Sequence, residues 1–162
     1  WPGLVGSEMC IRDRYRHFPS KRSIYAELFS FCDDSIFSKC NEIKKSKLSS
    51  KEKVKNAFMF FMFFIEKNKG FARLLSREAL SSDEQNVSDS VNQFYERFEL
   101  VLRQILKEDD SNLRTQPGIS AQLIITSLEG NIGRYIRSKF KNSPSNYIEN
   151  VWDLLSISVF KN

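Results

Sequence analysis

The chain has 162 residues, 41% hydrophobic and 28% charged, with 14 phenylalanines against 6 glycines and 4 prolines. That balance suits one domain with a sizeable core and disfavours a turn-rich all-β fold. A formal net charge of +5 permits an anionic partner such as nucleic acid without requiring one.

Residues 1–14 show no helical apolar period and no cap signal. The string Leu4-Val5-Gly6-Ser7-Glu8-Met9-Cys10-Ile11-Arg12-Asp13 looks like a translated sequencing adapter, so the stretch is expected to be a non-native leader on a fragment. A native flexible arm is the competing reading. Tyr15-Arg16-His17-Phe18-Pro19-Ser20-Lys21 follows. Here aromatics and cations lead into a proline that cannot continue a helix, and Ser20 is placed to cap the next one with Lys21 in its first turn.

From residue 20 to about 45, Ile24, Leu28, Phe31/Cys32, Ile36 and Cys40 recur at helical spacing, widened by Phe29 and Phe37. Ser49 and Glu52 form a capping-box signature that opens a second helix, closing near Asn68-Lys69-Gly70. Its run Ala57-Phe58-Met59-Phe60-Phe61-Met62-Phe63-Phe64-Ile65 is apolar on every side, so the helix is either fully buried or carries an apolar groove on its second face. At nine residues the run is too short for a membrane span, which needs about twenty.

A short helix is predicted over residues 71–80, with Leu74, Leu75 and Ala79 inward. A long one over about 83–107 carries Val87, Val91, Phe94, Phe98, Val101, Leu102, Ile105 and Leu106. A polar loop through Pro117-Gly118 leads to a fifth helix over about 119–141, with Leu123, Ile124, Leu128, Ile132, Tyr135, Ile136 and Phe140 on its apolar stripe. Asn146 and Glu149 repeat the capping signature before a last helix bearing Val151, Trp152, Leu155 and Val159. The fold class is all-α, with about six helices.

Gly130 and Gly133 inside the fifth helix each cost up to about 1 kcal/mol relative to Ala, a loss accepted where another backbone must come close. Packing within one subunit and a subunit interface with Arg134, Trp152 and Leu155 both satisfy that need. Cys32 and Cys40 lie eight positions apart on one helix, about 12 Å by the helical rise, too far for a disulfide. Reduced cysteines fit a cytosolic protein. One histidine, no glycine-rich phosphate loop, no Cys/His zinc spacing and no nucleophile elbow argue against an enzyme, a metal or a cofactor. Paired acids such as Asp33-Asp34 and Glu108-Asp109-Asp110 fit solvation and capping.

The segment Tyr15–Lys21 resembles the end of the recognition helix in TetR-family regulators. Phe31 with Asp33-Asp34-Ser35, Phe94-Tyr95-Glu96-Arg97-Phe98-Glu99, Leu102 to Lys107, Glu129-Gly130 and Arg134 to Lys141 extend the likeness to nucleoid-occlusion members of that family, in order, over residues 15–155. The resemblance implies that residues 15–21 end a helix-turn-helix domain and residues 22–162 form a helical dimerisation and partner-binding domain.

It further implies a nucleoid-associated homodimer on palindromic chromosomal sites that engages the C-terminal tail of the division protein FtsZ and opposes Z-ring assembly. Tyr15, His17 and Lys21 would be DNA contacts, mostly to the backbone, leaving sequence specificity to residues upstream. An apolar groove rimmed by cations suits a partly acidic tail peptide. Phe31, Phe60 and Phe63 would form its floor and Lys39, Lys67 and Asn68 its rim. Lys39 and Lys67 stand where the family has arginine, and Phe63 where it has glycine. Lysine lacks the bidentate fork, and Phe63 would fill part of the groove. The main alternative is a TetR-family repressor whose phenylalanine-lined cavity senses a small apolar ligand, with Tyr95 and Tyr135 as polar handles.

Overall fold

In the computed structural model residues 20–77 and 85–162 are described, and they contain six α-helices. Tyr15 and His17 lie outside the described residues, as do Ala79 and the start expected for the long helix.

Helix α1 (Lys21–Lys45) starts at Ser20, whose hydroxyl accepts the Ser23 N–H at 3.1 Å. Helix α2 (Ser50–Lys67) opens on the reciprocal box expected of Ser49 and Glu52: the Glu52 N–H donates to Ser49 Oγ, and the Ser49 N–H donates to Glu52 Oε2. After Asn68 comes α3 (Lys69–Leu75), shorter than its apolar pattern suggested. It closes at Ser76, and Arg77 turns the chain at a left-handed φ of 62°. Helix α4 (Gln85–Lys107) presents Val87, Val91, Phe94, Phe98, Leu102, Ile105 and Leu106 inward as its stripe demands.

Pro117 sets the first turn of α5 (Pro117–Arg137). This helix ends four residues before its expected limit of 141. Ser138 closes it, the Lys139 N–H donates to Ile136 O, and the Phe140 N–H reaches back to Tyr135 O at 2.8 Å. That is a Schellman stop, with Lys139 at φ 55° where glycine is usual. The last helix, α6 (Ile148–Val159), lacks the cap its sequence spelled. Tyr147 occupies the cap position in a left-handed conformation with no side-chain cap bond, and Glu149 pairs instead with Lys55 at 3.2 Å.

The helices form one bundle, with α4 packed along α5 and facing α1 and α2 across the centre. Phe58, Phe61, Phe71, Phe94 and Phe98 fill that centre and are buried. Ring centroids lie 4.9 Å apart for Phe61–Phe98 and 5.5 Å for Phe71–Phe94. Each such side chain contributes about 1.5–3 kcal/mol by burial, and an aromatic pair adds about 0.5–1.5 kcal/mol. Cys32 and Cys40 are free thiols inside this core, and burial pushes both up to about 11. Three residues expected on inward stripes face outward: Ile24, Phe31 and Leu123.

At the end of the bundle where α1 finishes, four lysines are engaged. The buried Lys53 ammonium donates to Lys44 O at 3.0 Å and pairs with Glu108 at 2.8 Å. Lys44 donates to Gln104, Lys51 to Asn162 O and Lys161 to Ser111 O.

Candidate functional site

The residues expected to bind a peptide come from α1 and α2, which form an antiparallel hairpin. Two contacts set its register. Lys39 Nζ stands 5.9 Å from the Phe60 ring centroid, and Leu28 Cδ2 lies 3.1 Å from where a Cβ on Gly70 would sit. Phe31, between Leu28 and Lys39, is therefore level with Lys67 and Asn68. Among the six residues, Lys39 and Phe60 are in direct contact across the hairpin.

The six differ in exposure. Phe31 is 66% exposed and Phe63 44%, whereas Phe60 is half-buried against Phe64, with ring centroids 5.8 Å apart. The Phe31 ring stands at the surface rather than as a sunken floor, and Phe63 is also exposed. Lys39 also pairs with Glu42 at 3.4 Å, so a ligand carboxylate would compete with that bond. Asn68 is held in place by its own amide, which donates to Phe64 O at 2.8 Å. Lys67 is exposed and has no carboxylate within ion-pair distance among the described residues. Lys39 also borders an open cleft of about 350 Å³ between Ile43 and Leu48 on one side and Asn56 and Met59 on the other. Sequence reasoning had left these four out. The exposed Leu48 in the linking turn was the available signal.

A second region lies on α5 and α6. A Cβ built on Gly130 or Gly133 meets nothing within 4 Å, so packing inside the subunit does not require either glycine. Both lie on the exposed face of α5, with Arg134 beside them. Trp152 and Leu155, expected on that surface, turn inward instead. Trp152 packs against Phe58 at 5.8 Å between ring centroids, and both residues are buried. Helix α6 has a second apolar face, and this is the one it turns outward: Leu154 is 68% and Ile157 65% exposed. Arg114 Nε donates to Ile157 O at 2.7 Å, which places that end of α6 by the start of α5, where Ile119 and Leu123 are also exposed.

The two tyrosines considered as ligand handles are placed differently. Tyr135 donates to Glu66 O at 3.0 Å, and burial together with the Glu66 charge raises its phenol, so it remains a donor. Tyr95 borders an open cleft of about 460 Å³ with Arg77, Asn92 and Glu129. Burial, then the Glu129 charge, raises the Tyr95 phenol, and burial with Glu99 nearby raises the Glu129 carboxyl. Among the described residues no helix is long and apolar enough to cross a membrane, and no cluster of His, Cys, Asp and Glu could hold a metal ion.

Residues 49–159 match the family model described as the SlmA-like tetracyclin repressor-like C-terminal domain. The chain belongs to the SlmA-like TetR family. Nucleoid occlusion factor SlmA of Vibrio vulnificus is 32% identical over 149 residues, spanning 90% of this chain and 76% of the relative. SlmA of Marinobacter nauticus is 31% identical over 150 residues, spanning 90% and 77%. Among solved structures, the transcriptional regulator FadR of Bacillus subtilis in complex with stearoyl-CoA superposes with a TM-score of 0.65 at 16% identity, covering 89% of this chain and 79% of that one. A Clostridium perfringens protein described as a fatty acid metabolism regulator gives 0.67 at 16% identity, covering 91% and 81%. These two share the all-α TetR-type fold. The SlmA-like chain is thus a nucleoid occlusion factor-like member of a family of DNA-binding regulators, not of enzymes.

Proposed function

We propose that this SlmA-like chain works as a homodimer on palindromic chromosomal sites and, there, engages the C-terminal tail of FtsZ and opposes Z-ring assembly over the nucleoid. Phe31 carries the peptide half of this reading. Phe31 is two-thirds exposed and Phe63 nearly half, which leaves two large rings open to a partner's apolar side chains. An extended tail would lay apolar residues over Phe31 and Phe63 and its carboxylates near Lys39 and Lys67. The dimer half is supported by the outward apolar residues of α5 and α6 and by two helix glycines with open space above them. A two-fold dimer would set the spacing of two half-sites. Tyr15, His17 and Lys21 remain backbone-contact candidates.

The rival reading, a repressor gated by a small apolar ligand, needs an enclosed cavity. The phenylalanines it would use fill the centre of the bundle instead, which favours the peptide reading. Anisotropy titration of a labelled FtsZ tail peptide, with and without palindromic DNA, tests the proposal. Saturable binding that Phe31→Ala weakens at least tenfold supports it. No binding even with DNA present overturns it and favours the ligand-responsive repressor.

A further inference from the structure

The end of the bundle where α1 begins carries five exposed cations outside any ion pair among the described residues, and Lys45, Lys47 and Lys107 are equally exposed at the other end. The group of five is assembled from α2, α3, α5 and the α5–α6 connection. Tyr135 and Ser145 both bond to Glu66, at 3.0 and 2.9 Å, which joins the last turn of α2 to the end of α5 and the loop after it. Lys69 Nζ sits 5.2 Å over the Phe140 ring, which lies 4.9 Å from Tyr135, so the start of α3 belongs to the same patch. Lys67, Lys69, Arg137, Lys139 and Lys141 are exposed there, and none has a carboxylate within ion-pair distance among the described residues. Glu66 is the carboxylate among them, and it accepts from Ser145.

Helix electrostatics account for part of this. Cations in a last turn stabilise the helix end, which explains Lys67 and Arg137. Lys69 is in the first turn of α3, where a cation is unfavourable, and Lys139 and Lys141 lie beyond α5 altogether. Lys139 also occupies the left-handed position of a Schellman stop, where a glycine would be relaxed. Lys69 has the Phe140 ring beneath it, whereas nothing in the fold accounts for Lys139 and Lys141.

We propose that Lys69, Lys139 and Lys141 form a second, sequence-independent contact surface for the phosphate backbone of duplex DNA, outside the helix-turn-helix. The inference rests on the DNA-bound reading above. Position favours DNA over other polyanions: α1 begins at this same end, directly after the segment that resembles the close of a recognition helix, so a bound duplex would lie on this side of the bundle. Phosphate contacts of this kind add affinity and salt dependence without reading bases.

The test is anisotropy titration of the 162-residue chain against a labelled duplex of arbitrary sequence over a range of salt. Replacing all three lysines (Lys69→Gln, Lys139→Gln, Lys141→Gln) should lower the slope of log K against log salt by roughly 2–3 and weaken binding at least tenfold near 0.1 M salt, from about 0.9 per phosphate contact. The matched set Lys45→Gln, Lys47→Gln, Lys107→Gln removes the same charge at the other end and should change the slope little. Lys139→Gly relaxes the left-handed backbone, so it should melt no lower than the parent while still losing close to one contact from the slope. Equal effects of the two triple sets, or no effect of the first, overturn the proposal. So does a loss confined to anionic vesicles or to the FtsZ peptide with DNA binding intact. A chain that binds the FtsZ peptide but no DNA overturns this surface and leaves the peptide reading standing.

Discussion

Phe61 and Phe31 sit on neighbouring antiparallel helices, yet they meet opposite environments. Phe61 is fully buried between Phe94 and Phe98, with ring centroids 5.8 and 4.9 Å away. Phe31 shows two-thirds of its surface to solvent. Both helices are rich in phenylalanine, so composition alone does not separate them. The difference is one of helix face. Positions that point toward α4 become core, and positions one or two residues away become surface. Apolar surface of the first kind stabilises the bundle, and that of the second kind is available to a partner.

The largest effect expected from breaking this contrast is Phe61→Ala, which removes a ring from the filled centre. A loss of about 3–5 kcal/mol is expected, and a melting temperature lower by on the order of 10 °C in thermal unfolding followed by circular dichroism. Phe31→Ala should leave the melting curve within about 0.5 kcal/mol of the parent while reducing FtsZ tail binding at least tenfold. A destabilisation of Phe31→Ala comparable to that of Phe61→Ala would end the distinction. Changing both rim lysines (Lys39→Arg and Lys67→Arg) should sharpen it. The guanidinium fork holds a carboxylate through two parallel bonds, so a few-fold gain in peptide affinity with unchanged stability is expected by titration calorimetry.

The smallest effect concerns Glu129, whose carboxyl is raised from its ordinary 4.5 by burial and by Glu99. An acid with a raised folded-state value binds its proton more tightly folded than unfolded. Stability is therefore greatest at low pH with respect to this group and falls as pH rises from about 4.5 through the folded value. Glu129→Gln should flatten that fall and raise the melting temperature slightly at neutral pH. A lowered melting temperature would show that the charge is stabilising.

The sequence made the helices legible wherever the apolar period and a local cap agreed. Ser20 and the Ser49–Glu52 pair cap as written, because a side-chain oxygen and the N–H three residues on are close in any helix start. Asn146 and Glu149 carry the same signature and do not cap. The chain enters α6 through a left-handed Tyr147, and Lys55, more than ninety positions away, takes the Glu149 carboxylate. Such long-range competition is not written in a window of four residues. The outward face of α6 was not legible for a similar reason. Its pattern offers Trp152 and Leu155 on one side and Leu154 and Ile157 on the other, and periodicity finds both stripes without saying which meets the core. At the groove, residue types were legible, but the depth at which each ring sits depends on the register of α1 against α2.

The Tyr135 hydroxyl bond to Glu66 O has a mechanical consequence. It ties the last turn of α2, which ends in Lys67 beside Asn68, to α5, the helix that carries Gly130 and Gly133. With its phenol raised, Tyr135 keeps the proton that makes this strut throughout the physiological range. In the proposed dimer, a displacement of α5 would pull on the end of α2, and a ligand held at Lys67 and Asn68 would act back on α5 with equal coupling free energy. On the function proposed above, this single phenol is the bond through which the two surfaces would be coupled.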